Sequence, residues 1–163
     1  MGTATRRVGD VRELYVTSYA RLVRVLAVAA GDRAEAEDVV QEAFARLVPR
    51  WRVIADYDDP EAWVRKVAFR LLSKRARRMR HHLTHHQLDV GAASREPETG
   101  VDLERALRVL PLAQRQVVVL HHLLDLPVAA VAAELGVAEG TVKSRLSRAR
   151  ATLAALLGEE EPS

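Results

Sequence analysis

AAELGVAEGTVKSRLSRAR, residues 132–150, divides at Gly136 into two short helical segments, and the second is studded with Lys143, Arg145, Arg148 and Arg150. A helix-turn-helix needs a small residue where its helices cross, a residue tolerant of positive φ at the turn, and apolar side chains that lock the pair. Ala132 and Gly136 meet the first two needs; Val131, Leu135, Val137, Val142 and Leu146 meet the third. The outward positions of the second helix are then Glu139, Lys143, Ser144, Ser147 and Arg148, with Thr141 and Arg145 beside them. Long cations and short hydroxyls are the groups that meet phosphates and major-groove base edges. Ala138 stands where a Ser, Thr or Asp cap is expected, so no side chain marks the helix start.

Working outward, a helix over 112–124 carries Val117, Val118, Leu120, Leu123 and Leu124, and Pro111 reads as a restart after Leu103, Ala106, Leu107 and Leu110. Upstream of these, HHLTHHQLDVGAASREPETG (81–100) loses the helical period and collects Gly, Ser, Pro and Thr, the composition of a linker. The N-terminal part regains the period. Leu14, Val16, Tyr19, Leu22, Val23 and Leu26 lie on one helix ending near Gly31. Asp32, with Glu35 three residues on, reads as a capping box opening a second helix, whose core face is Val40, Ala43, Phe44 and Leu47 and which ends near Pro49. Residues 50–60 read as a loop, and Asp59-Pro60 as the cap and first turn of a third helix with Trp63, Val67 and Leu71 on its apolar stripe and Val64 and Leu72 as further candidates for it. The expected fold is all-α: two small helical domains, 11–80 and 102–157, joined by a flexible linker over 81–101, the second domain a helix-turn-helix.

Composition agrees. Of the 163 residues, 48% are hydrophobic, 29% charged and only 4% aromatic, a balance that supports folded helices rather than disorder. Cysteine is absent, which excludes disulfides and thiolate metal sites, and neither a signal-like apolar core nor a membrane-length apolar run occurs, so the expected location is the cytoplasm. The net charge of +3 hides strong segregation. No acid occurs from Ala62 to Leu88, where Arg65, Lys66, Arg70, Lys74, Arg75, Arg77, Arg78 and Arg80 stand; Asp32–Glu42 carries Asp32, Glu35, Glu37, Asp38 and Glu42 against Arg33 alone. One surface for a polyanion and another for a different partner follow from that asymmetry.

Three stretches, GDRAEAEDVVQEAFARL (31–47), DDPEAWVRKVAFRLLSKRARR (58–78) and LPLAQRQVVVLHHLLDLPVAAVAAELGVAEGTVKSRLSRARATL (110–153), resemble bacterial RNA polymerase sigma factors of the extracytoplasmic-function group. The likeness covers roughly residues 11–80 and 102–157. It implies a specificity subunit that directs polymerase to promoters. Asp38, Gln41 and Glu42 match the D-x-x-Q-E face set against the β′ clamp helices. The basic helix matches the reader of the −10 element, which implies DNA contacts from Arg65, Lys66, Arg70, Lys74, Arg77 and Arg78, with the loop 52–60 and Tyr57 or Trp63 near an unstacked base. Trp63 itself is expected in the core. The helix-turn-helix matches the −35 reader, implying DNA contacts from Glu139, Thr141, Lys143, Ser144, Arg145 and Arg148, and its domain is expected to meet the β flap. An anti-sigma protein is implied as a further partner. Arg70 stands where relatives commonly have Asn, and Lys74 where many have Asp, which points Arg70 to phosphate rather than to a base; Pro127 replaces a usual Ser cap.

Other readings are weaker. His81, His82, His85 and His86 include i, i+4 pairs, but no nearby carboxylate completes a metal site, and a solvated His-rich linker explains them; His121 and His122 read as structural. No phosphate-binding glycine loop or nucleophile–base motif occurs, so no catalytic residue, cofactor or small-molecule substrate is expected, and Asp58, Asp59 and Glu61 read as loop and cap chemistry. The chief rival is a stand-alone helix-turn-helix repressor or activator, which requires neither the acidic face nor the eight-cation helix.

Overall fold

Gly31-Asp32 punctuates the first helical pair as the sequence suggests. Helix α1 (Val11–Ala30) ends at Gly31 with φ 71°, whose N–H reaches the Ala27 carbonyl, and helix α2 (Arg33–Leu47) opens on Asp32, whose Oδ1 accepts from the backbone of Ala34 at 2.8 Å and Glu35 at 3.3 Å. Asp10 caps α1 in the same manner, accepting from Glu13 N at 2.7 Å. The computed structural model describes residues 9–85 and 103–158, with side chains of 83–85 excepted, and among them no strand occurs.

The chain divides into two compact units, Met1–Leu72 and Ser73–Ser163. In the first, α1 and α2 pack along each other. Leu22, Leu26 and Ala29 of α1, and Val39, Val40, Ala43 and Leu47 of α2, are buried to 2% exposure or less. Each such Leu removed from water contributes on the order of 1.5–3 kcal/mol. Val16, expected on this face, is instead 73% exposed: two residues past Leu14 on a helix lies about 200° away. The expected loop over 50–60 is also corrected at its start. Val48–Arg50 forms a 3-10 turn, which tolerates Pro49 because the first N–H groups of a helical turn lack partners anyway, and helix α3 (Trp51–Ile54) follows and buries Ile54.

Helix α4 (Pro60–His85) starts as expected, with Asp59 Oδ1 accepting from Ala62 N at 3.1 Å, and runs five residues past the expected domain end at 80. Its buried residues are Val64, Ala68, Phe69, Leu71 and Leu72. Trp63 and Val67 remain half-buried, a correction to the expected stripe.

In the second unit, helices α5 (Leu103–Val109) and α6 (Leu112–Val118) bury Ala106, Leu107, Val117 and Val118, whereas Leu103 stays half-exposed. The helix expected over 112–124 widens after Val118 into a π-helical turn, Val119–Leu123. That turn leaves Leu123 48% exposed and is closed by His121, whose Nδ1 lies 2.7 Å from the Leu126 carbonyl, and by Asp125 at φ 54°. The 3% exposed Gln116 amide donates to Ser73 Oγ at 2.9 Å, so this buried polar group is satisfied. Helices α7 (Val128–Leu135) and α8 (Glu139–Gly158) complete the unit. No helix of the described residues is long and apolar enough to cross a membrane.

Candidate nucleic-acid and partner interfaces

The acidic face lies on α2. Asp38 and Gln41 are exposed and Glu42 half-buried, and Glu42 Oε1 accepts from Arg46 Nη2 at 3.0 Å one turn away. Gln41 Nε2 donates to the Tyr19 hydroxyl of α1 at 3.2 Å. Tyr19 stacks on Tyr15 with centroids 4.7 Å apart and planes at 25°, and Tyr15 meets the buried Phe44 edge-on at 5.0 Å and 70°. The Tyr15 phenol is pushed above its ordinary value, first by partial burial and then by the adjacent Tyr19 phenol, with which it shares a hydrogen bond. Sequence reading placed Tyr19 in the core and passed over Tyr15. The available signal was two aromatics at i, i+4 on one helix.

The basic face lies on α4. At about 100° per residue, Lys66, Arg70, Lys74, Arg77, Arg78 and His81 fall within a stripe roughly 120° wide. Arg65 falls outside that stripe and is half-buried. Trp63 and Val67, both half-buried, fall inside the same stripe rather than on the core side, so an indole stands among the cations. Toward the C-terminal end Lys74, Arg77, Arg78, His81 and His82 line a shallow open groove of about 310 Å³. Glu61 pins the helix start: Arg21 of α1 grips it as a fork, Nε to Oε1 at 2.8 Å and Nη2 to Oε2 at 2.6 Å. Bonding to Glu61 and its charge hold the Arg21 guanidinium still more basic than usual. His85 and His86 of the expected His-rich segment have no described side chains, and no metal-holding cluster occurs among the described residues.

The hairpin turns where the quoted segment requires, although Leu135 and Val137, expected in its shared core, stay half-buried. Gly136 adopts φ 67°, ψ 37°, and both its N–H and that of Val137 reach the Ala132 carbonyl. Val131 and Ala132 of α7, and Val142, Leu146 and Ala149 of α8, form the buried seam. Thr141 and Val142 N–H groups both return to the Ala138 carbonyl, so α8 starts on backbone bonds at the position where a side-chain cap was missing. Opposite the seam, Ser144, Ser147 and Arg148 are exposed and line up with Gly140. Exposed Lys143 and half-buried Arg145 flank them on either side; exposed Glu139 lies toward Lys143, and half-buried Thr141 toward Arg145.

Known proteins match this arrangement. The family described as Sigma-70 region 2 matches residues 14–82, and that described as Sigma-70, region 4 matches residues 100–153. ECF RNA polymerase sigma factor SigM of Mycobacterium tuberculosis is 34% identical over 150 residues, covering 90% of this chain and 76% of that protein. RNA polymerase sigma-E factor of Streptomyces antibioticus is 38% identical over 127 residues, 75% of this chain and 70% of that one. The sigma factor RpoE of Bartonella quintana, solved in complex with the anti-sigma factor NepR, shares the fold at a TM-score of 0.74 and 22% identity, over 94% of this chain and all of that one. A stand-alone repressor is set aside, because it leaves the region 2 match unexplained. With matches spanning both helical units and relatives above 30% identity over most of its length, the chain belongs to the extracytoplasmic-function RNA polymerase sigma factors, which direct the polymerase to promoter DNA for transcription initiation.

Proposed function

We propose that α2 is this sigma factor's grip on core polymerase and that α4 and α8 are its two grips on the promoter. The observation that carries the reading is the sorting of charge between helices: Asp38, Gln41 and Glu42 present acceptors on α2, while six basic or titratable side chains occupy one stripe of α4. Acceptors suit a cationic surface on the β′ clamp helices, and the α4 stripe suits the phosphates of melted −10 DNA, with Trp63 within it and Tyr57 of the preceding loop available to stack on a base. Tyr57 is 50% exposed. In α8 the outward Ser144, Ser147 and Arg148, with Lys143 and Arg145 on the flanks, suit a −35 major groove.

The domains act as region 2 over 11–80 and region 4 over 102–157, the latter also meeting the β flap, with 81–101 spanning the distance the promoter sets. The protein works without chemistry of its own, as a non-enzymatic cytoplasmic subunit. An anti-sigma protein that masks both domains is the regulator this reading implies. Reconstituted transcription on genomic DNA with mapped start sites tests it. Glu42→Lys should abolish holoenzyme assembly while leaving binding to −35 duplex intact; normal assembly of that variant overturns the assignment of α2.

A further inference from the structure

We infer that Tyr19 is a positioning residue for polymerase docking, holding the Gln41 amide so that its carbonyl joins Asp38 and Glu42 in one outward row of acceptors. The inference rests on the polymerase-facing reading of α2. Gln41 is exposed, and an exposed glutamine on a helix ordinarily samples many rotamers and both amide orientations. Here Nε2 is engaged by the Tyr19 hydroxyl across the α1–α2 hairpin, 22 residues away in sequence. One amide hydrogen thereby points to α1, and Oε1 is left to the partner side. Tyr19 is itself held, stacked against Tyr15, which leans edge-on against Phe44 at 4% exposure. A rigid aromatic brace thus runs from the core to the amide. Glu42 is steadied in parallel by Arg46. Four carboxylate oxygens and the Gln41 carbonyl outnumber the one amide hydrogen left on Gln41, so the surface that fits the row is a helix bearing Arg or Lys, whose forked or multiple donors such acceptors receive. Restraining Gln41 beforehand removes the ordering cost of docking it.

The test measures the affinity of the full chain for core polymerase with Tyr19→Phe, Gln41→Ala and the double variant. Tyr19→Phe keeps the stack and deletes only the hydroxyl, and should weaken binding roughly two- to ten-fold, the cost of immobilising one rotamer-rich side chain. Gln41→Ala should weaken it at least as much, and adding Tyr19→Phe to Gln41→Ala should change nothing further. A Tyr19→Phe variant with unchanged affinity beside a weakened Gln41→Ala overturns the positioning role and leaves the α2 face standing. Equal loss in both backgrounds also overturns it, since Tyr19 would then touch polymerase directly or act through hairpin stability. An unaffected Gln41→Ala overturns the positioning role as well, while the α2 face is judged separately by Glu42→Lys.

Discussion

Gly136 and Gly140 lie four residues apart in the helix-turn-helix, and replacing each by Ala should move stability in opposite directions. Gly136 sits at φ 67°, ψ 37°, a left-handed conformation that costs an L-residue about 1–2 kcal/mol. The gain from stiffening the unfolded chain, about 0.4–1 kcal/mol, offsets part of this, so Gly136→Ala should lose about 1 kcal/mol net. Gly140 lies in the first turn of α8 without positive φ, and a Cβ built there meets no atom within 4 Å. Its replacement should gain about 0.5 kcal/mol, the lower part of the Gly-to-Ala helix difference because the first turn is only half committed to helix. At about 4–8 °C per kcal/mol for a unit the size of Ser73–Ser163, the two variants should melt roughly 6–12 °C apart with wild type between them. Far-ultraviolet circular dichroism is the right probe, because every Phe, Tyr and Trp lies before Ser73 and intrinsic fluorescence reports on the other unit. Destabilisation by Gly140→Ala, or none by Gly136→Ala, would refute the assignment of these two glycines.

The two DNA grips proposed for α4 and α8 should respond differently to loss of one cation. Lys74→Ala should weaken single-stranded −10 DNA of any sequence and lower the salt slope by about 0.7, whereas Arg148→Ala, if it meets a base, should cost about 1–3 kcal/mol on the −35 element and narrow the gap to a scrambled duplex; competition titrations at several salt concentrations check both. A double-mutant cycle on Arg21 and Glu61 should give a coupling of about 0.5–1 kcal/mol that shrinks in high salt, since Arg21 is 57% exposed; zero coupling at low salt would mean the fork does not hold α4. Tyr15, with its folded phenol raised above the unfolded value of 10.0, should contribute its stabilisation in full below that pH and lose it as pH climbs through the raised value. Ultraviolet difference titration should show one of the three tyrosines lagging, and Tyr15→Phe should delete that lag.

How far each feature was legible depends on whether its cause is local. Gly136 could be placed because glycine takes the left-handed conformation of a turn between helices at least cost, whereas Asp125, which adopts it at φ 54°, carried no such signal; Asp32 and Asp59 could be placed because a cap bonds residues two or three positions on. The face of α4 was harder. Trp63, Val67 and Leu71 look like a stripe, yet each four-residue step drifts about 40°, so the row spirals around the helix. Leu71 ends in the core at 5% exposure while Trp63 stays among the cations, and Phe69, fully buried, lies off that row altogether. Two single turns, one 3-10 and one α, around Trp51 were too short for any periodicity to register. Contacts across helices were out of reach for a stronger reason: Tyr19–Gln41 and Arg21–Glu61 depend on how one helix is set against another, which no spacing along the chain encodes.

The same distinction bears on function. A run of cations says that a helix can face a polyanion, but not which of them act together. Eight cations follow one another from Arg65 to Arg80, and the helical turn selects Lys66, Arg70, Lys74, Arg77 and Arg78 for one side while turning Arg65 and Arg75 away. Because the selected five repeat at three- and four-residue steps, they follow the helix axis for about three turns. That length suits a strand laid along α4 rather than a single phosphate held at its end, with Trp63, near the N-terminal end of the row, as the aromatic available for stacking.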